Sequence, residues 1–132
     1  MTLFLAPAQA AEIPASVKPI RVQLESPFAG SNPTARGLNQ LYLRAALRDS
    51  LLRGEAPFAS HAIYAQQFVL DDSIPAERAL VIETDLAFLS VAEKVVVYVD
   101  RGIGSGMAQG MESARELGIE IEKRSLPEWK RG

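Results

Sequence analysis

The stretch Lys94-Val-Val-Val-Tyr-Val99 decides the fold. It is a continuous run of β-branched and aromatic residues, the composition of a strand that is buried on both faces, as strands of parallel sheets are. Asp100-Arg-Gly-Ile-Gly-Ser-Gly-Met107 follows it, and a helical pattern then runs to Leu117 and is closed by Gly118. The centre of the chain therefore predicts a buried strand, a glycine-rich turn and a helix.

Strand and helix patterns alternate on both sides of this centre. On the amino-terminal side we predict a strand over 19–25, a helix over 34–53 ended by Gly54, a short strand within 56–60 that opens into a loop, and a helix from 71 to 89 capped by Ser73 or Asp72. On the carboxyl-terminal side we predict a strand over 119–124. This order predicts an α/β fold, a small parallel sheet of about four strands flanked by helices, of the Rossmann-like or flavodoxin-like kind.

The length of 132 residues suits a single domain. We expect that domain to span 19–132, preceded by an irregular amino-terminal arm over 1–18 that contains Pro7 and Pro14. The tail 125–132, with Pro127 and Trp129, is left open between packing against the domain and extending away from it. Ligands of such sheets bind beyond the carboxyl ends of the strands, so one site is expected there.

Charge and composition exclude several classes of partner. The 14 basic and 16 acidic residues give a net charge of -2, and the basic residues are scattered, which argues against a nucleic-acid polymer or an anionic membrane as partner. No apolar stretch approaches the roughly 20 residues that cross a bilayer. With no cysteine and one histidine, we expect no metal site. We also expect no cofactor and, from the lack of a membrane-spanning stretch, a cytoplasmic protein.

Three features of the sequence offer chemistry, and each also has a purely structural interpretation. The glycines 102, 104 and 106 precede a helix whose first backbone N–H groups are free to bind a phosphate, or they form a tight turn with Ser105 as the helix cap. His61 is placed after a strand, for proton transfer or for a structural hydrogen bond. Glu83 lies in a helix beside apolar positions, at the border of a cavity or in solvent.

Taken together, these segments resemble the nucleoside 2-deoxyribosyltransferase superfamily, which includes deoxynucleoside 5′-monophosphate N-glycosidases. The resemblance spans roughly residues 20–124. The loop Glu25-Ser-Pro-Phe-Ala-Gly30 is similar to the family's loop around the base and sugar, which implies that Ser26, Pro27, Phe28 and Gly30 bind substrate.

Glu83-Thr-Asp-Leu-Ala87 is similar to the family's Glu-x-Gly-x-Ala motif, which implies that Glu83 is the nucleophile. Ser105-Gly-Met107 is similar to the stretch that surrounds the 5′-phosphate, so the resemblance adds Ser105, Gly106 and Met107, with Gly102, to the substrate-binding residues. In those relatives the serine reaches a neighbouring subunit, which implies a homo-oligomer. The resemblance also gives His61 a catalytic role.

The chain departs from the family pattern at three points. Asp85 stands where the motif has glycine, Val81 stands near where small glycines usually lie, and no strand with an aspartate precedes the glutamate helix. Asp100, at the end of the buried strand, is our candidate for the missing acid.

Two functions remain open at this point. One is N-glycosidic bond cleavage or deoxyribosyl transfer on a nucleoside or its 5′-monophosphate. The other is a catalytically inactive nucleotide-binding or sensing module of the same fold.

Overall fold

The computed structural model describes residues 18–130. The elements, in chain order, are β1 (Ile20–Glu25), α1 (Pro33–Leu52), β2 (Glu55–Phe58), α2 (Ser60–Tyr64), α3 (Pro75–Leu89), β3 (Lys94–Tyr98), α4 (Ser105–Glu116), β4 (Ile121–Arg124) and a turn of 3₁₀-helix (Pro127–Trp129). The predicted arm over 1–18 lies outside the described residues, apart from Lys18.

The four strands form one parallel sheet in the order β2-β1-β3-β4. This confirms the predicted α/β fold with a small parallel sheet between helices. The central strands are β1 and β3, and the run Val95–Tyr98 of β3 is buried as predicted. Along the chain, β2 is added on one side of β1, and β3 and β4 are then added on its other side. The strand order therefore reverses between β1 and β3, which is where ligands of open parallel sheets bind.

Each face of the sheet carries its own core. Val22, Leu24, Val96 and Tyr98 point to the face that α1 covers, while Val95 and Val97 point to the opposite face and pack against residues of α3 and α4. Because side chains alternate along a strand, Gln23 and Glu25 of β1 lie on the α3 and α4 side. The sheet thus holds two polar residues on the face that carries the cavity described below.

Local signals explain most element boundaries. The side chain of Asn32 caps α1 by accepting from the Ala35 N–H at 2.8 Å, and Pro33 occupies the first helical turn. Gly54 and Gly118, with φ of 85° and 71°, follow the ends of α1 and α4 as predicted.

Three boundaries differ from the predictions. A short helix, α2, replaces the loop expected after β2, so His61 lies in a helical turn. The cap residue of α3 is Ile74, not the predicted Ser73 or Asp72, and its side chain makes no capping hydrogen bond. Ser73 instead bonds to Asp71, whose carboxylate accepts from the N–H and the hydroxyl of Ser73. Gly104 occupies the cap position of α4, so Ser105 is the first helical residue and not the predicted cap.

Residues 125–130 of the carboxyl-terminal tail pack back on the domain. Trp129 meets Tyr42 of α1 edge to face, with 5.0 Å between the ring centroids. Leu126 is buried in the core beneath α1, and its N–H donates to Asp100. Over residues 125–130, the part of the tail that the structure describes, packing is thus observed in place of an extended arrangement.

Candidate functional site

A cavity of about 320 Å³ opens at the carboxyl end of β1, between α3 and the amino end of α4. The cavity is lined by residues 25–29, by Ser60 and His61 of α2, by one side of α3, by the cap and first turns of α4, and by Ala65 and Asp72 between α2 and α3. This position matches the place where a parallel sheet of this topology binds ligands. The volume is in the range of small-molecule sites.

Two carboxylates meet in this cavity. Glu25, the last residue of β1, is 7% exposed, and it contacts Asp85 of α3. Burial raises the pKa of Glu25 well above its usual value, and the charge of Asp85 beside it raises that pKa further. Burial also raises the pKa of Asp85, against hydrogen bonds that lower it.

Asp85 is held by donors from two other elements. The Ser60 hydroxyl, at the start of α2, donates to Asp85 Oδ1 at 2.8 Å, and the amide Nε2 of the buried Gln23 donates to the same oxygen. Donors of this kind stabilise an ionised carboxylate. The pair is thus asymmetric, because these donors reach only one of its members.

Gly110 of α4 has no side chain, and the Glu25 carboxyl group occupies the space that a Cβ would take. A Cβ at residue 110 would overlap Glu25 Oε2 and lie 3.0 Å from Glu25 Cδ, so the carboxyl group would have to shift. Since α4 presents a bare backbone there, the glutamate side chain fills the space that a larger residue would take. The cavity wall therefore depends on a glycine in the middle of a helix, where glycine otherwise costs stability.

His61 and Ser26 form a second polar group in the cavity. Ser26 Oγ and His61 Nε2 are 3.1 Å apart, and the His61 ring meets the Phe28 ring edge to face at 5.8 Å. Burial lowers the pKa of His61 to about 4, so the imidazole is neutral at neutral pH. A neutral imidazole beside a hydroxyl can donate and accept hydrogen bonds to a bound ligand.

The amino end of α4 forms the opposite wall. Gly104, Ser105 and Gly106 line the cavity, and the backbone N–H groups of a first helical turn are free to bind an anion. Arg78 of α3 also lines the cavity, with Nη2 3.9 Å from the position of a Cβ on Gly106. This end of the cavity is therefore the more favourable one for negative charge.

The structure brings together most of the predicted substrate-binding residues and His61, which was predicted to be catalytic. The cavity is lined by Ser26, Pro27, Phe28, His61, Ser105, Gly106 and Met107. Gly30 and Gly102 are not among its lining residues. Gly30 packs against the first turn of α1, where a Cβ would lie 2.6 Å from the Arg36 nitrogen, and Gly102 supports a turn with φ of 92°.

Glu83, the predicted nucleophile, is exposed and does not line the cavity. Positions two residues apart on a helix point in nearly opposite directions, since each residue turns by about 100°. Because Asp85 points into the cavity, Glu83 points away from it. The carboxylate that the structure brings to the cavity is the residue that departs from the family motif.

Asp100, our candidate for the missing acid, contacts α1 and the carboxyl-terminal tail. Its Oδ2 accepts from the Tyr42 hydroxyl at 2.6 Å and from the Leu126 N–H at 2.8 Å, on the face of the sheet beneath α1. The residue ties the tail to α1, and it does not line the cavity.

The sequence did not single out Glu25, Arg78 or Gly110 as site residues, and it marked Asp85 only as a departure from the family motif. A signal for two of them is present, because Arg78, Val81, Ile82 and Asp85 follow the three- and four-residue spacing of one helix side. Glu25 and Gly110 have no such signal, since they meet only through the packing of β1 against α4.

Within residues 18–130, no three His, Asp or Glu side chains gather closely enough to hold a metal ion. In the same part of the chain, no helix is long and apolar enough to cross a membrane.

Comparisons with known proteins agree with this architecture. A family model described as "Domain of unknown function (DUF7768)" matches residues 20–124, which is most of the chain. The chain belongs to this family. The match begins at β1 and ends at β4, so every strand of this DUF7768 domain, and each part of the chain that lines the cavity, falls within it.

The DUF7768 domain is also similar to a solved structure, a 2-deoxyribosyltransferase from the psychrotolerant bacterium Bacillus psychrosaccharolyticus. The TM-score is 0.55 at 21% sequence identity, over 80% of this chain and 72% of that one. At this identity the likeness establishes a shared fold, that of an enzyme described as a biocatalyst for nucleoside synthesis. No curated protein matches the chain.

Proposed function

We propose that this domain binds a nucleoside or its 5′-monophosphate in the cavity and cleaves, or transfers, the bond between the sugar and the base. The half-buried Asp85 carries the proposal, because a carboxylate that reaches the cavity can attack the anomeric carbon of a bound nucleoside and form a covalent intermediate. The fold shared with a 2-deoxyribosyltransferase supports nucleosides as the substrate class.

The rest of the cavity fits this substrate. Phe28 offers an aromatic face for a base, and Ser26 with the neutral His61 offers hydrogen bonds for hydroxyl groups. The amino end of α4 and Arg78 suit a 5′-phosphate at the opposite wall. In this proposal Asp85 takes the place that the sequence motif gives to Glu83.

The test is base release by the purified protein from a panel of deoxynucleosides and their 5′-monophosphates, followed by chromatography. Asp85→Asn removes the charge in the cavity, and Glu83→Gln is the matched control on the exposed side of the same helix. We expect release by the parent and by Glu83→Gln, and a loss of at least about 100-fold in Asp85→Asn. No release from any compound would overturn the proposal.

The alternative function is a nucleotide-binding module without turnover. The exposure of Glu83 favours it, since the carboxylate of the sequence motif is absent from the cavity. This module would show a nucleotide-dependent rise in Tm without base release, because a ligand that binds only the folded state stabilises it.

We also propose that the protein is a homo-oligomer that associates through the exposed side of α3. Leu80 is 50% exposed there, and Ala87 is exposed on the same side. Sedimentation should give a mass above that of one chain for the parent and the mass of one chain for Leu80→Glu. A parent that sediments as a monomer would contradict this part of the proposal.

A further inference from the structure

A second cavity, of about 460 Å³, adjoins the first one. It lies between α1 and the connection that runs from α2 to α3, and it is lined by Arg36 of α1 and by residues 67–72 of the connection. Phe28, Ala65 and Asp72 line both cavities. The two cavities are therefore neighbours, and these three residues form the boundary between them.

The boundary places the second cavity at the base end of the proposed site. Phe28, which offers its ring to a base, belongs to both cavities. Arg78 and Gly106, at the wall that suits a 5′-phosphate, line the first cavity and are not among the lining residues of the second. A group attached to the base is therefore closer to the second cavity than a 5′-phosphate is.

The size and the lining of the second cavity suit such a group. The first cavity, of about 320 Å³, is near the lower limit of small-molecule sites, which run from about 300 to 1,000 Å³. The second cavity offers apolar surface from Val69 and Leu70 and amide groups from Gln40 and Gln67. Val69 is 52% exposed, so a ligand that covers it removes apolar surface from water. A substituted base would use space that an unmodified base leaves empty.

The charges of the second cavity limit what it accepts. Asp71, Asp72 and Glu77 line it together with Arg36, which is the one basic side chain among its described lining residues. Hydrogen bonds from Ser73 lower the pKa of Asp71, and the charge of Arg36 lowers it further, so this carboxyl group is ionised at neutral pH. Because the carboxylates outnumber the guanidinium, the cavity disfavours a substituent that is itself an anion.

We infer that the substrate is a nucleoside or nucleotide whose base carries a substituent without negative charge, that the second cavity holds this substituent, and that Ala65 sets how large it can be. The inference rests on the proposed function and specifies its substrate class. Ala65 has this role because its methyl group is the smallest of the three boundary side chains. A larger side chain there would fill the boundary between the cavities.

The first experiment compares the affinities of substituted and unsubstituted nucleotides for the parent protein by isothermal titration calorimetry. The probes are dUMP with its 3-hydroxypropyl derivative at pyrimidine carbon 5, and dAMP with its 3-hydroxypropyl derivative at the exocyclic nitrogen. We expect the substituted nucleotide of at least one pair to bind about 10-fold more tightly, since each methylene removed from water contributes several-fold. Equal or weaker binding of the substituted nucleotide in both pairs would overturn the inference.

The second experiment fills the boundary. In the pair that shows the preference, Ala65→Leu should reduce the ratio of the two affinities to about one, because the leucine takes space that the substituent needs. Ala76→Leu is the matched control and should keep the parent's ratio, since Ala76 is exposed in the first turn of α3 and lines neither cavity. Near-ultraviolet circular dichroism establishes that both variants are folded. An Ala65→Leu variant with the parent's ratio would reject the second cavity as the place of the substituent.

The third experiment tests the limit on charge. The 2-carboxyethyl derivative of the same nucleotide should bind about fivefold more weakly than the 3-hydroxypropyl derivative. Glu77→Gln keeps the side-chain oxygen that accepts from the Asp71 N–H and removes the charge, so it should reduce this difference by about threefold. Glu83→Gln, on the exposed side of the same helix, is the control and should keep the difference. A carboxyethyl derivative that binds as tightly as the hydroxypropyl one rejects the limit.

Failure of this inference differs from failure of the proposed function, because the substituted nucleotides are also added to the base-release panel. A parent that cleaves unsubstituted nucleotides and shows no preference for the substituted ones keeps the proposed function and rejects the inference. A parent that prefers the substituted nucleotides but releases no base keeps the role of the second cavity and supports the binding module. A parent that binds none of the probes rejects both.

Discussion

At the scale of single residues, the cavity contains groups that folding alone does not favour. Burying a carboxyl group without donors costs free energy unless it stays neutral, and Glu25 is in this situation. Its enclosure by Gly110 and its contact with Asp85 are therefore easier to explain by function than by stability.

Glu25 predicts how stability depends on pH. Its pKa in the folded state lies well above the ordinary value of 4.5, so its contribution is fully present below pH 4.5 and is lost as pH rises through the folded value. Relative to Glu25→Gln, the parent's free energy of unfolding should fall by up to about 1.4 kcal/mol per pH unit in that interval.

Denaturant titrations of both proteins at several pH values measure this difference. His61 contributes in the opposite sense, because its lowered pKa removes stability as pH falls from 6.5 towards 4, but that effect is common to both proteins and cancels. A difference between the two proteins that stays constant above pH 4.5 would contradict the prediction.

Phe68 carries a second feature at this scale. It is 96% exposed, and its backbone has φ of 72°, a left-handed conformation that is costly for a bulky side chain. Phe68→Asn should raise the free energy of unfolding by about 1 kcal/mol, because asparagine tolerates this conformation and little burial is lost. Urea denaturation checks it, and an unchanged or lower midpoint would count against the strain.

At the scale of elements, α3 shows how one helix serves two surroundings. Arg78, Val81 and Asp85 face the cavity, while Leu80 and Glu83 are exposed. This division follows from the 3.6-residue repeat of the helix. The side of the helix on which a carboxylate lies therefore decides whether it reaches the cavity, and the similarity of the sequence around Glu83 to the family motif does not.

Two helical glycines give a matched prediction at this scale. Gly37 of α1 has open space where a Cβ would lie, so Gly37→Ala should stabilise the protein by about 1 kcal/mol through helix propensity. Gly110→Ala gains the same propensity but displaces the Glu25 carboxyl, and we expect a net loss of about 1–2 kcal/mol.

Thermal and urea denaturation of the two variants measure these changes. Combining Gly110→Ala with Glu25→Ala should recover most of the loss, because the shorter side chain leaves room for the new Cβ. A Gly110→Ala variant as stable as Gly37→Ala would show that Glu25 moves aside freely.

At the scale of the whole molecule, one buried ion pair joins the two edge strands. Arg124 of β4 donates to both carboxylate oxygens of Glu55 of β2, at 2.6 and 2.8 Å, and both side chains are buried. Burial by itself raises the pKa of Glu55, but hydrogen bonds from Arg124 and Ser50 outweigh it and hold the pKa below its ordinary value. The pair lies beneath α1, on the face away from the cavity.

Removing one partner should be far more costly than removing both. Arg124→Met leaves Glu55 buried without its cation, and we expect a loss of about 3–5 kcal/mol, while adding Glu55→Met should restore a large part of it. Chemical denaturation of the two single variants and the double variant completes the cycle. A double variant less stable than both single variants would show that the pair contributes net stability.

The sequence predicts the fold well because its signals are local. The β-branched run 94–99, the glycines after two helices and the alternation in β1 each act within a few residues, and together they indicate a parallel sheet between helices. The loop 26–28, His61 and the first turn of α4 follow from the same logic, since strand ends and helix starts meet at one edge.

What the sequence by itself determined is the α/β fold and the edge of the sheet where the cavity lies. Only the tertiary structure decided which carboxylates reach that cavity. Glu25 and Asp85 are 60 positions apart in the chain, and Glu25 owes its position to a glycine on a third element. Such contacts depend on how elements pack at the scale of a single side chain, and no spacing along the chain encodes that distance.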